Sequence, residues 1–406
     1  MPLPPIHMHT MTLDQKFPCI DDMASAAARR IPHFAWEYLR GGIGREVGLQ
    51  RNRQALDRVL LEPCYLTKEP ANRPELGTTL LGQHFDMPFG VSPVGLSGLM
   101  WPGAVEILAR AAVAANAPMV LSHFATTHMS DFRTIAGRNG WFQLYSFSKP
   151  DALKAVIEDV AATGFETLVV TIDIPTATRR DRELRVGLSV PPKINLNTLW
   201  QVATHPRWAL ATAMTGIPRF RNLKPYAPNG LSMAKEAEYL TELVEGHVTT
   251  EVLSRIRAQW TGKLVVKGVM TAEDARIALD CGADGIWVSN HGGRQLDAAW
   301  STVEVLPAIR AALGPDVPIM IDSGPRTGLD IARMLASGAD FVFLGRAFIF
   351  AVAAIGARGG DHAFALLREE LRCTLAQLGC RSVRDLPDFL TKTPVPGEAA
   401  RCGLTP

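Results

Sequence analysis

The chain has 406 residues, of which 47% are hydrophobic and 20% are charged. This composition supports a large buried core and excludes a disordered chain. The 42 basic and 40 acidic side chains leave a net charge of +2, so no overall positive field attracts the protein to nucleic acid. The length fits one large barrel with extensions, or two ordinary domains.

The sequence carries no targeting or membrane-spanning signal that we recognise. Its first residues, Met1–Thr10, lack the continuous apolar core of a secretory signal. A spanning helix needs about 18 consecutive apolar residues, and no such run occurs. The six cysteines form no Cys-x-x-Cys pair, which indicates reduced thiols and no metal site. We therefore expect a cytoplasmic protein.

From about residue 86, short β-branched runs alternate with helical stretches rich in Ala and Leu. This alternation predicts βα units and a parallel sheet. The predicted strands are Pro88–Pro93, Pro118–Ser122, Trp141–Tyr145, Leu168–Asp173, Leu264–Lys267, Gly285–Asn290, Pro318–Asp322 and Phe341–Gly345. Eight parallel strands close a (β/α)₈ TIM barrel, an α/β fold.

The predicted barrel spans residues 86–390, after an N-terminal helical extension at 1–85 and before a C-terminal tail at 391–406. A long insertion at 185–245 follows the fourth strand. No acidic residue lies between Glu183 and Glu236, where basic side chains alternate with aromatic and aliphatic ones. Such a segment is typical of a membrane interface, and a lid or a subunit contact is the alternative. We expect deletion of about residues 190–228 to leave a soluble, catalytic protein.

Residues capable of chemistry cluster at the predicted C-terminal ends of the strands. They are Ser122, Gln143, Tyr145, Thr171, Asp173, Lys267, Ser289, His291, Asp322, Gly345 and Arg346. The βα loops of a TIM barrel converge on this face and form the active site there.

Two kinds of motif stand out among these strand ends. The string Ser289–Asp297 reads Ser-Asn-His-Gly-Gly-Arg-Gln-Leu-Asp. Its glycines allow close approach to a ligand, and Arg294 offers a bidentate fork for a carboxylate. The strings Asp322–Arg326 and Leu344–Arg346 end the seventh and eighth strands, where this barrel class usually holds a phosphate.

With these strings, the chain resembles the FMN-dependent 2-hydroxy acid dehydrogenase and oxidase family from about Ile31 to about Leu390. The other matching strings are Pro93–Gly95, Gln143–Tyr145, Thr171–Asp173, Arg179–Arg180 and Val266–Gly268. Within the family, His205–Trp208 and Thr374–Cys380 resemble the membrane-associated mandelate dehydrogenase and L-lactate dehydrogenase branch. This resemblance also favours a membrane-facing insertion.

The resemblance implies a catalytic role for His291 as the base, with Asp173 orienting the imidazole. Oxidation of a 2-hydroxy acid requires such a base, a carboxylate clamp and an electron acceptor. Arg180 and Arg294 match the two arginines that bind the substrate carboxylate. Tyr38 and Tyr145 match the hydroxyl donors beside them.

The implied cofactor is FMN, with Lys267 beside the N1 and C2 carbonyl region of the flavin ring. A buried lysine without an anionic partner is costly, so a cofactor explains Lys267 better than a core role does. The remaining cofactor-binding residues implied are Pro93, Val94, Gly95, Ser122, Gln143, Thr171, Ser289, Asp322, Gly324, Arg326, Gly345 and Arg346.

The resemblance implies oxidation of an (S)-2-hydroxy acid, mandelate-like or lactate-like, by a homotetramer peripheral to the inner face of the cell membrane. Gly95, where many relatives carry alanine, is similar to the dehydrogenase branch and favours a quinone or another carrier as electron acceptor. Phe124 stands where many oxidases carry tryptophan. One alternative is an oxidase that releases hydrogen peroxide. The other is a non-catalytic flavin-binding protein of the membrane surface.

Overall fold

The computed structural model describes residues 11–66, 73–176, 178–187, 195–228, 230–244 and 247–391. Most of the predicted C-terminal tail lies outside the described residues, as does Lys193 in the insertion. The division into extension, barrel and tail stays a prediction.

The eight predicted strands form one closed parallel barrel, which confirms the TIM-barrel prediction. A short antiparallel hairpin, β1 (Thr78–Leu80) and β2 (Gln83–Phe85), precedes it. The barrel strands are β3 (Phe89–Val91), β4 (Met119–Ser122), β5 (Gly140–Tyr145), β6 (Thr167–Thr171), β7 (Lys263–Val269), β8 (Gly285–Val288), β9 (Ile319–Ile321) and β10 (Phe341–Leu344). Closure occurs where β10 pairs with β3, through Val342 and Phe89.

Helices cover the outside of the barrel. Those before β4 are α1 (Leu13–Lys16), α2 (Ile20–Arg30), α3 (His33–Arg40), α4 (Val47–Arg58), α5 (Ser97–Met100) and α6 (Ala104–Ala114). Those from β4 to β7 are α7 (Met129–Ala136), α8 (Pro150–Ala162), α9 (Asp181–Arg185), α10 (Leu196–Ala203), α11 (Pro206–Thr215), α12 (Met233–Val244) and α13 (Thr250–Gln259). After β7 follow α14 (Ala272–Asp280), α15 (Thr302–Leu313), α16 (Gly328–Ala336), α17 (Arg346–Ile355) and α18 (Gly359–Leu378).

The β1–β2 hairpin was not predicted, because the segment before residue 86 was expected to be helical. Its turn places Leu81 at φ +51° and Gly82 at φ +85°, as in the two-residue turns that match the twist of a hairpin. Leu80 and Phe85 pack into the apolar cluster inside the barrel. The hairpin therefore closes the end of the barrel opposite the C-terminal ends of the strands.

The barrel interior is filled by large side chains, so it is a packed core and not a channel. They are Val120, Trp141, Val169, Val265, Trp287, Met320, Phe341 and Phe343. A second apolar layer lies between the strands and the helices. The side chains of α17 are buried almost throughout because α2 and α18 pack against it.

The insertion after β6 contains the helix pair α10–α11, which two buried side chains anchor by hydrogen bonds, and a third buried side chain, Asn222, anchors the segment that follows α11. Gln201 accepts a hydrogen bond from a backbone N–H of α3 at 3.0 Å, and Trp208 donates to a carbonyl of α5 at 3.0 Å. Asn222 donates to the carbonyl of Thr127 and accepts from the N–H of Met129. The pair is therefore fixed on the barrel surface.

The opposite face of this helix pair carries large apolar side chains exposed to solvent. They are Leu196, Leu199, Trp200, Leu210 and Met214, followed just after α11 by Ile217, and all six are from 55% to 85% exposed. Exposed basic side chains are interspersed at Arg207, Arg219, Arg221 and Lys224. Within the part of the chain that the structure describes, no helix is long and apolar enough to cross a membrane.

Candidate active site

A cavity of about 530 Å³ opens at the C-terminal ends of the barrel strands. The predicted site residues that line it are Tyr38, Pro93, Val94, Gly95, Tyr145, Thr171, Arg180, Lys267, His291, Arg294, Asp322, Gly324, Arg326, Gly345 and Arg346. Four more, Ser122, Gln143, Asp173 and Ser289, lie at the same end of the barrel behind or beside this lining. The fold thus gathers the predicted residues from all parts of the chain around one cavity.

His291 and Asp173 form a hydrogen-bonded pair at this cavity. Nδ1 of His291 lies 3.0 Å from Oδ1 of Asp173, which leaves Nε2 as the ring nitrogen that can act on a ligand. Enclosure by the protein lowers the pKa of His291, and the Asp173 carboxylate partly opposes this shift. The imidazole is therefore suited to act as a neutral base whose protonated form has a counterion at hand.

Unusual backbone conformations make room for this pair. His291 has φ +56°, in the left-handed region that non-glycine residues rarely adopt and that is often found at functional sites. Gly268 has φ +105°, and a Cβ there would lie 2.7 Å from Cβ of Asp173. A Cβ on Gly292 would lie 2.6 Å from the guanidinium of Arg346. The glycines of these two motifs therefore permit close approach of functional side chains.

Arg180 and Arg294 place two guanidiniums at the cavity wall. Nη1 of Arg294 donates to the carbonyls of Tyr38 at 2.7 Å and Gly41 at 2.9 Å, and its guanidinium lies over the Tyr38 ring. Burial lowers the pKa of Arg294, and the charge of Arg180 adds to this effect. The hydroxyl of Tyr38 reaches the carbonyl of Gly95 at 3.4 Å. Two enclosed positive charges suit a carboxylate ligand.

Aromatic and aliphatic side chains form the apolar part of the wall. Phe124 makes edge-to-face contacts with Tyr145 and with Phe220, each with ring centres 5.1 Å apart, and Val244 also lines the cavity. Burial raises the pKa of Tyr145, so its hydroxyl stays protonated as a donor. Phe220 and Val244 were not predicted, since no motif in the insertion identifies them.

The position of Phe220 corrects the expected effect of removing the insertion. A deletion of about residues 190–228 removes this part of the cavity wall together with the buried anchor Asn222. In contrast to the prediction of a catalytic product from the sequence, we therefore expect that deletion to impair catalysis.

Lys267 differs from the prediction, because it has an anionic partner within the protein. Its Nζ lies 3.0 Å from Oδ2 of Asp322 and donates to Oγ of Ser289 at 2.7 Å. The hydroxyls of Ser92 and Ser289 also donate to Asp322. Burial opposes ionisation of Asp322, but Lys267 and the hydroxyls of Ser289 and Ser323 outweigh it and lower the pKa of Asp322. Lys267 is therefore not an unpaired lysine, and the prediction that it lacks an anionic partner is wrong, although Lys267 lines the cavity.

Arg326 and Arg346 lie at the cavity with no ion pair to any residue that the structure describes. Arg346 donates to the carbonyls of Leu39, Gly41 and Gly292. Burial and the neighbouring arginines lower the pKa of Arg346. Arg326 donates to the carbonyl of its neighbour in the chain, and burial together with Arg53 lowers its pKa to about 10. Two enclosed guanidiniums without carboxylates indicate a site for an anion such as a phosphate.

Buried polar atoms at the strand ends also lack partners within the protein. Nε2 of Gln143 and Oγ1 of Thr171 make no hydrogen bond, whereas Oε1 of Gln143 accepts from Ser122. Buried polar groups without partners are rare and indicate a ligand. These unpartnered hydrogen-bonding groups and the guanidiniums of Arg326 and Arg346 fit the ring edge and the phosphate of FMN.

Two further polar residues of the site were missed by the sequence reasoning. Ser92 contacts Asp322 and stands directly before the Pro93–Gly95 motif, a position that was the available signal. Glu183 lines the cavity and accepts hydrogen bonds from both Arg180 and Arg294. Its position in the string Arg-Arg-Asp-Arg-Glu gave no sign that it faces inward.

Comparisons with known proteins identify the family to which the chain belongs. Residues 27–392 match the family described as FMN-dependent dehydrogenase. L-lactate dehydrogenase of Xanthomonas axonopodis pv. citri (strain 306) is 38% identical over 366 residues, covering 90% of this chain and 94% of that protein. L-lactate dehydrogenase of Ectopseudomonas mendocina (strain ymp) is 37% identical over 373 residues, covering 91% and 98%.

Solved structures resemble the chain over almost its whole length. The monotopic membrane protein (S)-mandelate dehydrogenase superposes with a TM-score of 0.88 at 34% identity, covering 93% of this chain and 100% of that one. A mandelate oxidase, solved with (S)-2-phenylpropionate, superposes with a TM-score of 0.75 at 29% identity, covering 92% and 98%. The chain belongs to the FMN-dependent dehydrogenase family.

Proposed function

We propose that the protein oxidises an (S)-2-hydroxy acid to the 2-oxo acid with FMN and passes the electrons to a quinone or another carrier. The observation that carries this proposal is the His291–Asp173 pair, at the same cavity as the guanidiniums of Arg180 and Arg294. The names of the relatives support mandelate-like or lactate-like substrates.

The residues at the cavity have separate roles in binding the substrate and in removing its proton. Arg180 and Arg294 bind the substrate carboxylate and thereby fix its orientation, and Tyr38 and Tyr145 donate hydrogen bonds beside them. Nε2 of His291 takes a proton from the substrate, and the Asp173 carboxylate stabilises the imidazolium that forms.

The cofactor site supplies the redox part of the reaction. FMN, when bound, accepts the two electrons that the hydroxy acid loses. Lys267 places a positive charge near the expected position of the flavin ring, Gln143 and Thr171 offer hydrogen bonds to its edge, and Arg326 and Arg346 hold its phosphate.

Anaerobic addition of 2-hydroxy acids to the purified protein tests the reaction class, followed as bleaching of the flavin absorbance band. We expect (S)-mandelate or L-lactate to bleach the band and the (R) enantiomers to leave it unchanged. The variant His291→Ala should retain the yellow cofactor and lose this bleaching. Bleaching at the original rate in that variant would overturn the role of His291 as the base and favour another residue.

Steady-state turnover with an artificial electron acceptor, compared with oxygen consumption, distinguishes a dehydrogenase from an oxidase. The likeness to a mandelate oxidase makes the oxidase the second candidate. We expect fast turnover with the acceptor and slow formation of hydrogen peroxide. Fast peroxide formation would reverse this choice.

We also propose that the exposed face of α10–α11 attaches the protein to an anionic membrane surface. Five large apolar side chains project from a helix pair that is fixed to the barrel, and Ile217 just after α11 adds a sixth. Exposed arginines and a lysine surround them. Apolar area together with basic charge drives interfacial binding. The monotopic membrane (S)-mandelate dehydrogenase supports this proposal. A tetramer stays a prediction that the mass of the native particle tests.

A further inference from the structure

We propose that Glu183 is an internal competitor of the substrate, a carboxylate that occupies the space between Arg180 and Arg294 until a hydroxy acid displaces it. This inference rests on the proposed role of the two arginines as the carboxylate clamp. It adds a residue that tunes how strongly the clamp binds anions and how readily it releases the product.

The geometry of Glu183 resembles that of a bound carboxylate. A single oxygen, Oε1, accepts from Nη2 of Arg294 at 2.8 Å and from Nη1 of Arg180 at 3.3 Å. The side chain is 20% exposed and lines the cavity. Hydrogen bonds between guanidinium and carboxylate are the interactions that a substrate acid makes with such a pair. A substrate carboxylate and Glu183 therefore compete for the same donors.

Ion pairs of the neighbouring residue Arg182 hold the helix that carries Glu183, α9, in place. Arg182 forms ion pairs with Glu37 on α3, at 2.8 Å, and with Glu46 just before α4. Burial of Glu37 opposes its ionisation, but its bonds to Arg182 and Arg40 prevail and lower the pKa of Glu37. These ionised carboxylates fix helix α9 at the rim. Displacement of Glu183 therefore requires rotation of its side chain and no movement of the helix.

The charges explain why such a competitor is useful. Burial and then the charge of Arg180 lower the pKa of Arg294, whereas Glu183 opposes this shift. The two guanidiniums therefore repel each other at this wall, and Glu183 reduces the repulsion. Glu183 supplies one negative charge and leaves one positive charge to attract the substrate. A ligand that cannot replace both hydrogen bonds of Glu183 gains little by binding, and the returning carboxylate assists release of the 2-oxo acid.

The test uses the FMN-loaded protein and carboxylates that cannot be oxidised because they lack the 2-hydroxyl group, phenylacetate and propionate. Their dissociation constants are measured from the change in flavin absorbance. In Glu183→Gln, which keeps the shape of the side chain, we expect binding about tenfold tighter, since a charge-assisted competitor is lost. Glu183→Ala should tighten binding in the same direction. Unchanged or weaker binding in both variants would overturn the proposal.

Asp181→Asn is the matched control, because it removes the same charge from the same helix. Asp181 pairs with Arg179 and Arg185 and does not line the cavity. We expect its dissociation constants to equal those of the unmodified protein. Equal tightening in Asp181→Asn and Glu183→Gln would assign the effect to net charge and contradict the proposal.

Steady-state kinetics add a second readout. We expect Glu183→Gln to lower KM for the hydroxy acid while kcat falls, since slower product release follows from the loss of the competitor. Variants Arg180→Met and Arg294→Met separate the two proposals. If both variants bind phenylacetate as tightly as the unmodified protein does, the two arginines do not bind the substrate carboxylate and the proposed function is wrong on this point. If both lose binding while Glu183→Gln binds normally, the clamp stands and the role of Glu183 is wrong.

Discussion

Nδ1 of His291 lies 3.0 Å from Oδ1 of Asp173, although the two residues come from different strand ends, after β8 and β6. The carboxylate opposes the lowering of the His291 pKa by enclosure. It thereby determines which ring nitrogen faces the ligand, and it raises the pH at which the base becomes protonated above the value that enclosure alone would give.

Replacement Asp173→Asn should slow flavin reduction and move its pH dependence. Loss of the carboxylate removes an interaction that raises the His291 pKa, so the acid limb of kcat/KM against pH should move to lower pH. We expect the rate itself to fall by about 10²–10⁴, the usual contribution of acid–base catalysis. Stopped-flow reduction across the pH range measures both quantities. An acid limb that moves to higher pH would contradict this account of the pair.

Replacement Asp322→Asn should raise the reduction potential of the bound flavin. The carboxylate lies 3.0 Å from Lys267 and balances its charge. Without it, the positive charge of Lys267 stabilises the reduced, more negative ring more strongly. We expect a shift on the order of 30 mV, which is a tenfold change for a two-electron couple. Equilibration with reference dyes gives the potential, and Asp340→Asn, at an ion pair with Arg310 outside the cavity, is the control.

Replacement Arg326→Met should weaken FMN binding without unfolding the protein. Arg326 donates to the carbonyl of a neighbouring residue, so the fold depends little on it. Loss of a charged partner to a phosphate costs about 1.5–3 kcal/mol, or about 10-fold to 100-fold in affinity. Titration of the apoprotein with FMN, followed by quenching of flavin fluorescence, measures this loss. Arg346→Met should also unfold more easily, because three carbonyls lose a donor.

Replacement Phe220→Ala should change the preference among substrates. Phe220 packs edge-to-face on Phe124 at the cavity wall, so its removal enlarges the apolar part of the site. We expect kcat/KM for hydroxy acids with bulky side chains to gain about tenfold relative to L-lactate. Leu210→Ala, in the same insertion and exposed away from the cavity, should leave the ratio unchanged. An unaltered ratio in Phe220→Ala would remove Phe220 from the substrate pocket.

Replacement of Trp200, Leu210 and Met214 by serine should weaken binding to vesicles that contain anionic lipid. Each apolar side chain that becomes buried in the membrane contributes about 1.5–3 kcal/mol, so we expect the partition coefficient measured by sedimentation to fall by at least about tenfold. Turnover with a soluble acceptor should remain, because the three side chains are exposed and do not line the cavity. Ile277→Ser, at an exposed apolar residue of α14, is the control. If the unmodified protein does not sediment with these vesicles, the surface proposal fails.

The barrel was predictable from the sequence because each buried parallel strand appears as a short apolar run, as in Leu264–Lys267, which the structure extends to Lys263–Val269. The β1–β2 hairpin was not, since its Leu81-Gly82 turn lacks the usual Asn-Gly signal. The pairing of Lys267 with Asp322 joins β7 to the end of β9, and such a contact leaves no periodic pattern. Glu183 and Phe220 follow β6 in a segment without repeats, so only the fold reveals that they face the cavity.

One short segment of the insertion contributes both to the exposed apolar surface and to the cavity wall. Met214 and Ile217 lie on its exposed apolar face, and Phe220, a few residues later, forms part of the cavity wall. Asn222 then fixes this stretch to the loop before α7. A change of insertion therefore alters the exposed apolar surface and the cavity wall together, whereas the barrel strands can remain the same.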